Sequence, residues 1–325
     1  MEYRKLGRTG WEVSAISFGT WAIGGTWGKV NDKESMEALH RAVELGVNFF
    51  DTADVYGAGQ SETYLGNTLS GRPEILIATK YGRGAGTYPD GYSYNDMRNA
   101  ILRAQDRLQR DVIDLLQLHC VPNAVMQHGE IFDWLRKVKQ DGLIAQFGAS
   151  VETVDEAFLS AEQDDLVSLQ IIYNLFRQRP LEKLFAITKE KQIGIIVRLP
   201  LASGLLAGRY TTQTAFATTD HRNYNKDGEA FNVGETFSGI PFASGLQLVE
   251  QLHQYKPAQL TMSQFALRWI LDNPAVTSVI AGTTRASQVQ ENVSVSSQPP
   301  LSAELHHTLF DFYLSQVEQQ IRGEY

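Results

Sequence analysis

Cysteine is almost missing. Among 325 residues only Cys120 carries a thiol, which excludes an intramolecular disulfide and any metal site built from several thiolates. That scarcity suits a reducing compartment. Basic charge is also short, with 29 Lys and Arg against 37 Asp and Glu, so broad attraction to nucleic acid or an anionic membrane is not expected. An anionic ligand would need a local site. No uninterrupted apolar run approaches the ~18 residues of a membrane span, and the N-terminal Met-Glu-Tyr-Arg-Lys has no apolar signal core, so cytoplasm is the expected location. The fingerprint Gly-x-Gly-x-x-Gly between a strand and a helix is lacking too: Gly82-Arg-Gly84-Ala-Gly86 has the wrong third spacing and reads as a flexible loop.

What is present suffices for a large core, with 43% of residues hydrophobic and 20% charged, and the length fits one globular domain over residues 1–325. Tyr3 to Leu6 and Trp11 to Val13 flank Gly7-Arg8-Thr9-Gly10 and predict a hairpin. Short β-branched or aromatic runs then begin near Ile16, Val47, Ile75, Val112, Ile144, Val167, Ile193 and Val276. Helical faces lie between them. Asn31 to Glu34 resembles a capping box ahead of Met36, Leu39 and Val43, with Gly46 as the stop. Further faces read Met97, Ile101, Ala104 and Leu108; Ile131, Leu135 and Val138; and Val154, Ala157, Phe158 and Ala161. Pro180 opens a helix carrying Leu181, Leu184 and Phe185, and another runs from about Ser263 to Asn273. Strands alternating with helices imply parallel pairing through right-handed crossovers, and eight such units predict an α/β fold, a closed (β/α)8 TIM barrel. Gly204 to Gly239, rich in Thr, Asn, Asp and Gly, predicts a long lid loop after strand seven. Leu305, Leu309 and Phe312 predict a last helix outside the barrel.

Three of the strand-like runs end in one polar residue each. Asp51 closes the run after Gly46, Lys80 closes Ile75-Leu-Ile-Ala-Thr-Lys80, and His119 closes Ile113-Asp-Leu-Leu-Gln-Leu-His119. In a parallel barrel these meet at the C-terminal rim, with Tyr56 leaning over them from a Gly-rich loop. The bland alternative is a structural ion-pair network. A phenol with a pKa near 10 is a poor acid at neutral pH, but a nearby ammonium stabilises phenolate and lowers that value. Lys80 is expected to do this for Tyr56, with Asp51 orienting Lys80 and His119 binding a substrate oxygen. Such a set donates a proton to an oxygen gaining negative charge, as in carbonyl reduction. A hydride must then come from a cofactor.

The chain resembles the aldo-keto reductase family over nearly its whole length. The resemblance is carried by Asp51-Thr52-Ala53, Tyr56-Gly57, Ser61-Glu62-Thr63-Tyr64-Leu65-Gly66, Ile77-Ala78-Thr79-Lys80 and Asp114-Leu115-Leu116-Gln117-Leu118-His119. It implies a Tyr56 acid tuned by Lys80 and Asp51, and a His119 that orients the carbonyl. It also implies NADPH, with NADH possible. Gly282, Arg285, Gln288, Glu291 and Asn292 resemble the family's motif for the adenosine end, where Thr284 stands in place of a first basic residue. Independently, Val279 to Arg285 follows the last strand at a helix start, where backbone N–H groups suit an anion.

Ser150 and Gln170 match the family's nicotinamide carboxamide contacts, with Val151 where many members have Asn. Arg198 replaces the usual ring-stacking aromatic, and a guanidinium also stacks on a flat ring. Ser203 to Arg209, with Gly204 and Leu205, resembles the pyrophosphate loop, and Pro200 and Leu201 precede it. Gly19 and Thr20 complete the expected cofactor contacts. Trp21, Trp27 and Tyr81, together with Tyr56 and His119, are the expected substrate pocket, with Tyr88 and Tyr92 in nearby rim loops. Cys120 reads as a small buried hydrophobe. No metal site is expected.

The expected partner is therefore a small-molecule carbonyl, and the expected state a monomer or small homo-oligomer. Two other readings remain: a nicotinamide-binding, redox-sensing module similar to potassium-channel β-subunits, and a Schiff-base aldolase using Lys80.

Overall fold

The computed structural model describes residues 1–24, 27 and 31–325. Strands β1 (Tyr3–Lys5) and β2 (Glu12–Ser14) pair antiparallel as the expected hairpin. The eight parallel strands are β3 (Ile16–Gly19), β4 (Phe49–Asp51), β5 (Leu76–Tyr81), β6 (Ile113–His119), β7 (Ile144–Ser150), β8 (Ser168–Ile172), β9 (Gly194–Arg198) and β10 (Val276–Ile280). They close into a barrel in chain order, β10 pairing with β3. Every strand inferred from a β-branched run is therefore found, and the fold is a (β/α)8 barrel.

The helices in chain order are α1 (Asp32–Glu44), α2 (Gln60–Leu69), α3 (Tyr94–Leu108), α4 (Asn123–His128), α5 (Glu130–Gln140), α6 (Val154–Ala161), α7 (Leu184–Glu190), α8 (His221–Tyr224), α9 (Phe242–Leu252), α10 (Met262–Leu271), α11 (Ala286–Ser294) and α12 (Ala303–Phe312). Local chemistry starts them where the sequence signals lie. The Asn31 carboxamide accepts from the N–H groups of Lys33 and Glu34, and Thr153 and Thr261 form reciprocal capping boxes with Glu156 and Gln264. One start differs from expectation: Pro180 sits in a single 3₁₀ turn, Arg179–Leu181, and α7 opens only at Leu184. The segment from Gly204 to Gly239 is also less irregular than its composition suggests, since it holds α8 and the single turns Val233–Glu235 and Phe237–Gly239.

Two cores divide the apolar residues. Phe49, Ala78, Leu115, Val167, Ile196 and Ile280 fill the barrel interior, where Leu6 and Val13 of the hairpin segment join them from below. The larger core lies between strands and helices. Side chains two residues apart on a strand share a face. Hence the column that begins with Phe49 continues to Asp51, that of Ala78 continues to Lys80, and that of Leu115 continues to Gln117 and His119. An apolar floor thus carries a polar layer at the C-terminal rim.

Candidate active site

Asp51, Lys80, Tyr56 and His119 come together as their spacing suggests. Lys80 Nζ donates to Asp51 Oδ1 at 2.6 Å and to the Thr52 carbonyl at 2.7 Å, and reaches the Tyr56 hydroxyl at 3.5 Å. The Tyr56 and His119 rings stand edge to face, 5.9 Å between centroids. Asp51, Tyr56 and His119 line a cavity of about 770 Å³, whereas Lys80, 2% exposed, lies behind them.

The Tyr56 loop is shaped by Gly57, Ala58 and Gly59, all at positive φ. A Cβ on Gly57 would fall 2.4 Å from the Gly24 carbonyl, so the loop packs too closely there for any side chain. Beneath it, the Ser61 hydroxyl bonds Thr20 Oγ1 at 2.6 Å and Thr52 Oγ1 at 2.9 Å, while Glu62 accepts from Thr79 and pairs with Arg107 at 2.6 Å. The Ser-Glu pair that stood out in the sequence is thus a buried anchor for the loop and for α2. Left-handed non-glycine residues concentrate at this rim: Ala58, Cys120, Leu199, Ala202, Ser203, Phe237 and Ser238, with only Gln109 and Gln192 elsewhere among the described residues. Each costs on the order of 1–3 kcal/mol, and such conformations gather at functional sites.

Protonation departs from the expected tuning. Burial, and then the charges of Asp51 and Glu235, push the Tyr56 phenol well above its ordinary value, so it is a neutral O–H rather than a phenolate. The hydroxyl is at the limit of hydrogen-bonding reach from Lys80, and desolvation outweighs the expected lowering. Burial and the nearby Lys80, Arg83 and Arg198 hold His119 well below the ordinary histidine value, so it is a neutral imidazole.

Among the expected cofactor residues, Gly19, Ser150, Gln170, Arg198, Pro200, Leu201, Ser203, Gly204, Arg209, Gly282, Thr284, Arg285, Gln288 and Asn292 line the same cavity. Thr20 and Leu205 do not. Thr20 is buried with its hydroxyl donating to the Asp51 carbonyl, and Leu205 packs in the core against the Gly245 face of α9. The Ser203 hydroxyl is committed to the lid, donating to the Glu235 carbonyl and accepting from Phe237 N–H. Arg285 stands at the N-cap of α11, is exposed, and makes no ion pair among the described residues.

Trp21 and Trp27 line the cavity, and Trp21 stacks on Tyr56 with 5.9 Å between ring centroids. Tyr81 does not line it: it is buried, its hydroxyl donates to Asp96, and Tyr88 faces the cavity instead. The lid supplies Tyr210, Arg222, Tyr224, Phe231 and Glu235, whose approach no local sequence signal announces.

Arg198 is not a free platform. It donates to the Val151 carbonyl at 2.9 Å and pairs with Glu235 at 3.4 Å, while Arg83 bridges Glu235 at 3.6 Å and also pairs with Glu152. Burial raises Glu152, and the charge of Glu235 adds to this; for Glu235 itself burial is outweighed by Arg198 and Arg83, which hold it below the ordinary carboxylate range. Cys120, pushed up to about 12 by burial, lies beside this cluster. Its Sγ and oxygens of Glu152 and Glu235 lie within 4.8 Å of one another, but the two guanidinium groups already neutralise those carboxylates, which disfavours a cation.

Comparison with known proteins agrees with this geometry. The chain is 31% identical to a "Probable voltage-gated potassium channel subunit beta" of Arabidopsis thaliana over 342 aligned positions, covering 100% of this chain and 98% of that one. It is 30% identical to the "Aldo-keto reductase YhdN" of Bacillus subtilis, covering 89% and 87%. The solved structure of "aldo-keto reductase AKR11C1 from Bacillus halodurans (holo form)" superposes with a TM-score of 0.76 at 25% identity, covering 100% and 98%. Residues 15–312 match the sequence pattern of the Aldo/keto reductase family, and the chain belongs to that family.

Proposed function

We propose that this protein is an NADPH-dependent oxidoreductase that reduces aldehydes or ketones to alcohols, with Tyr56 as the proton donor. The observation that carries this reading is a half-buried Tyr56 hydroxyl facing a cavity beside His119 and backed by the Lys80–Asp51 pair. The cavity residues fit a dinucleotide: one wall runs from Gln170 and Ser150 to Gly282 and the start of α11, where Arg285 offers an unpaired cation among the described residues. Arg285 would hold the adenosine 2′-phosphate, Gln288 and Asn292 the adenine end, and Ser150 and Gln170 the carboxamide. Bound there, the nicotinamide supplies the hydride.

The protein's own groups handle the oxygen. His119 and Tyr56 receive the carbonyl oxygen, and the phenol O–H transfers its proton as negative charge develops. Lys80, 3.5 Å from the hydroxyl, then stabilises the nascent phenolate by its charge. NADH is the weaker partner in this reading, because Arg285 recognises a phosphate that NADH lacks.

A redox-sensing module that holds cofactor with little turnover is the second reading, favoured by the full-length likeness to the plant channel subunit. Against the aldolase reading, Lys80 is 2% exposed and spends its N–H groups on Asp51 and Thr52, which leaves it without the access a nucleophile needs. Tyr56→Phe tests the acid: turnover should fall by about 10²–10⁴-fold with NADPH affinity retained. Unchanged turnover would reject Tyr56 as the donor.

A further inference from the structure

Gln117 takes no part in the chemistry above, yet it touches the group that orients Lys80. It sits on β6 between Leu115 and His119, on the inward face, where an apolar residue is the ordinary filling. It is fully buried. A carboxamide in that position is costly unless both ends are bonded. Both are: Gln117 Nε2 donates to Asp51 Oδ2 at 3.1 Å, and Gln117 Oε1 accepts from Gln170 Nε2 at 3.3 Å. Turning the amide over would set its oxygen against a carboxylate oxygen and its NH₂ against the NH₂ of Gln170, so the network fixes its direction.

Asp51 is thereby held from two sides. Lys80 donates to Oδ1, while Gln117 and Gln170 donate to Oδ2, the latter at 2.7 Å. The two glutamines are not equivalent. Gln170 lines the cavity, whereas Gln117 is fully buried and does not. Lys80 has firm bonds only to Asp51 and Thr52, and its reach to Tyr56 is the longest of its three. A carboxylate free to swing would draw the ammonium with it.

We infer that Gln117 is a positioning residue for proton transfer, holding the Asp51 carboxylate from inside the barrel so that Lys80 stays within reach of Tyr56. This rests on the reading of Tyr56 as the donor. The test compares wild type, Gln117→Leu and Gln117→Glu in full-length protein, by kcat against pH, NADPH Kd from fluorescence titration, and denaturation midpoint. Gln117→Leu should lower kcat about 10-fold, the worth of roughly one hydrogen bond, with Kd within about twofold. Gln117→Glu donates as a neutral acid at low pH and repels Asp51 once ionised. Its kcat should therefore approach wild type in acid and decline as pH rises, along a limb that wild type lacks.

The pH limb is a readout that a merely structural residue would not create, and it serves alone if the leucine variant does not fold. A folded Gln117→Leu with wild-type kcat, or a Gln117→Glu profile superimposable on wild type, overturns the inference. If Tyr56→Phe also retains turnover, the donor assignment has failed; if Tyr56→Phe is inactive while both Gln117 variants behave as wild type, only the positioning role falls.

Discussion

Desolvation, more than any single neighbour, sets the state of the side chains proposed to react. Tyr56 is driven upward and His119 downward by burial, so each is neutral where a charged form would be costly. For the chemistry proposed, His119 donates as imidazole and should contribute no ionisation to kcat/KM through neutrality. A limb near the ordinary histidine value of 6.5 that disappears in His119→Asn would contradict this. The same shift bears on stability. The unfolded chain takes up a proton on His119 near 6.5 and the folded one does not, so this contribution is intact above that pH and lost as pH falls toward the depressed folded value. Asp54, raised by burial to about 6 from 3.8, has the opposite sign: its contribution is present at low pH and is lost as pH rises through about 6.

The hairpin of β1 and β2 is a plug rather than an appendage. Leu6 and Val13 complete the barrel interior, and Arg4 ties the hairpin to the Val276 and Leu271 carbonyls at 2.7 Å each. Leu6→Ala should therefore lower unfolding free energy by about 2–5 kcal/mol, measured by urea denaturation, with little effect on kcat because the change lies at the opposite end of the barrel from Tyr56. A loss below about 1 kcal/mol would mean that the interior collapses around the gap. Elements of this kind were legible in the sequence because their signals are local: a period of two, a cap, a turn. The polar strand ends were legible for the same reason. Gln117 was in plain view two residues before His119, and strand alternation alone would have put it on the same face. The Arg83–Glu235–Arg198 cluster was not legible, since Glu235 is brought in by a lid whose path depends on packing between Tyr210, Phe216, Phe237 and Phe242. Tyr81 was misplaced because an aromatic at a strand end faces either the cavity or a helix, and here Asp96 of α3 captures it.

At the scale of the molecule, the barrel separates stability from chemistry. Its floor and the layer between strands and helices are apolar, and its C-terminal rim carries most of the left-handed non-glycine turns and the large cavity. The net charge of −8 offers no general attraction for an anionic cofactor, so in the proposed reading affinity would rest on local groups at the start of α11 and around β9. Family membership leaves two roles open to such a molecule, turnover or cofactor sensing. The deciding measurement is steady-state oxidation of NADPH and of NADH by the purified protein over a panel of aldehydes, ketones and quinones. Carbonyl-dependent oxidation with NADPH preferred is expected of the proposed reductase. Tightly held, slowly exchanging NADPH with no oxidation across the panel would contradict it and favour the sensing role.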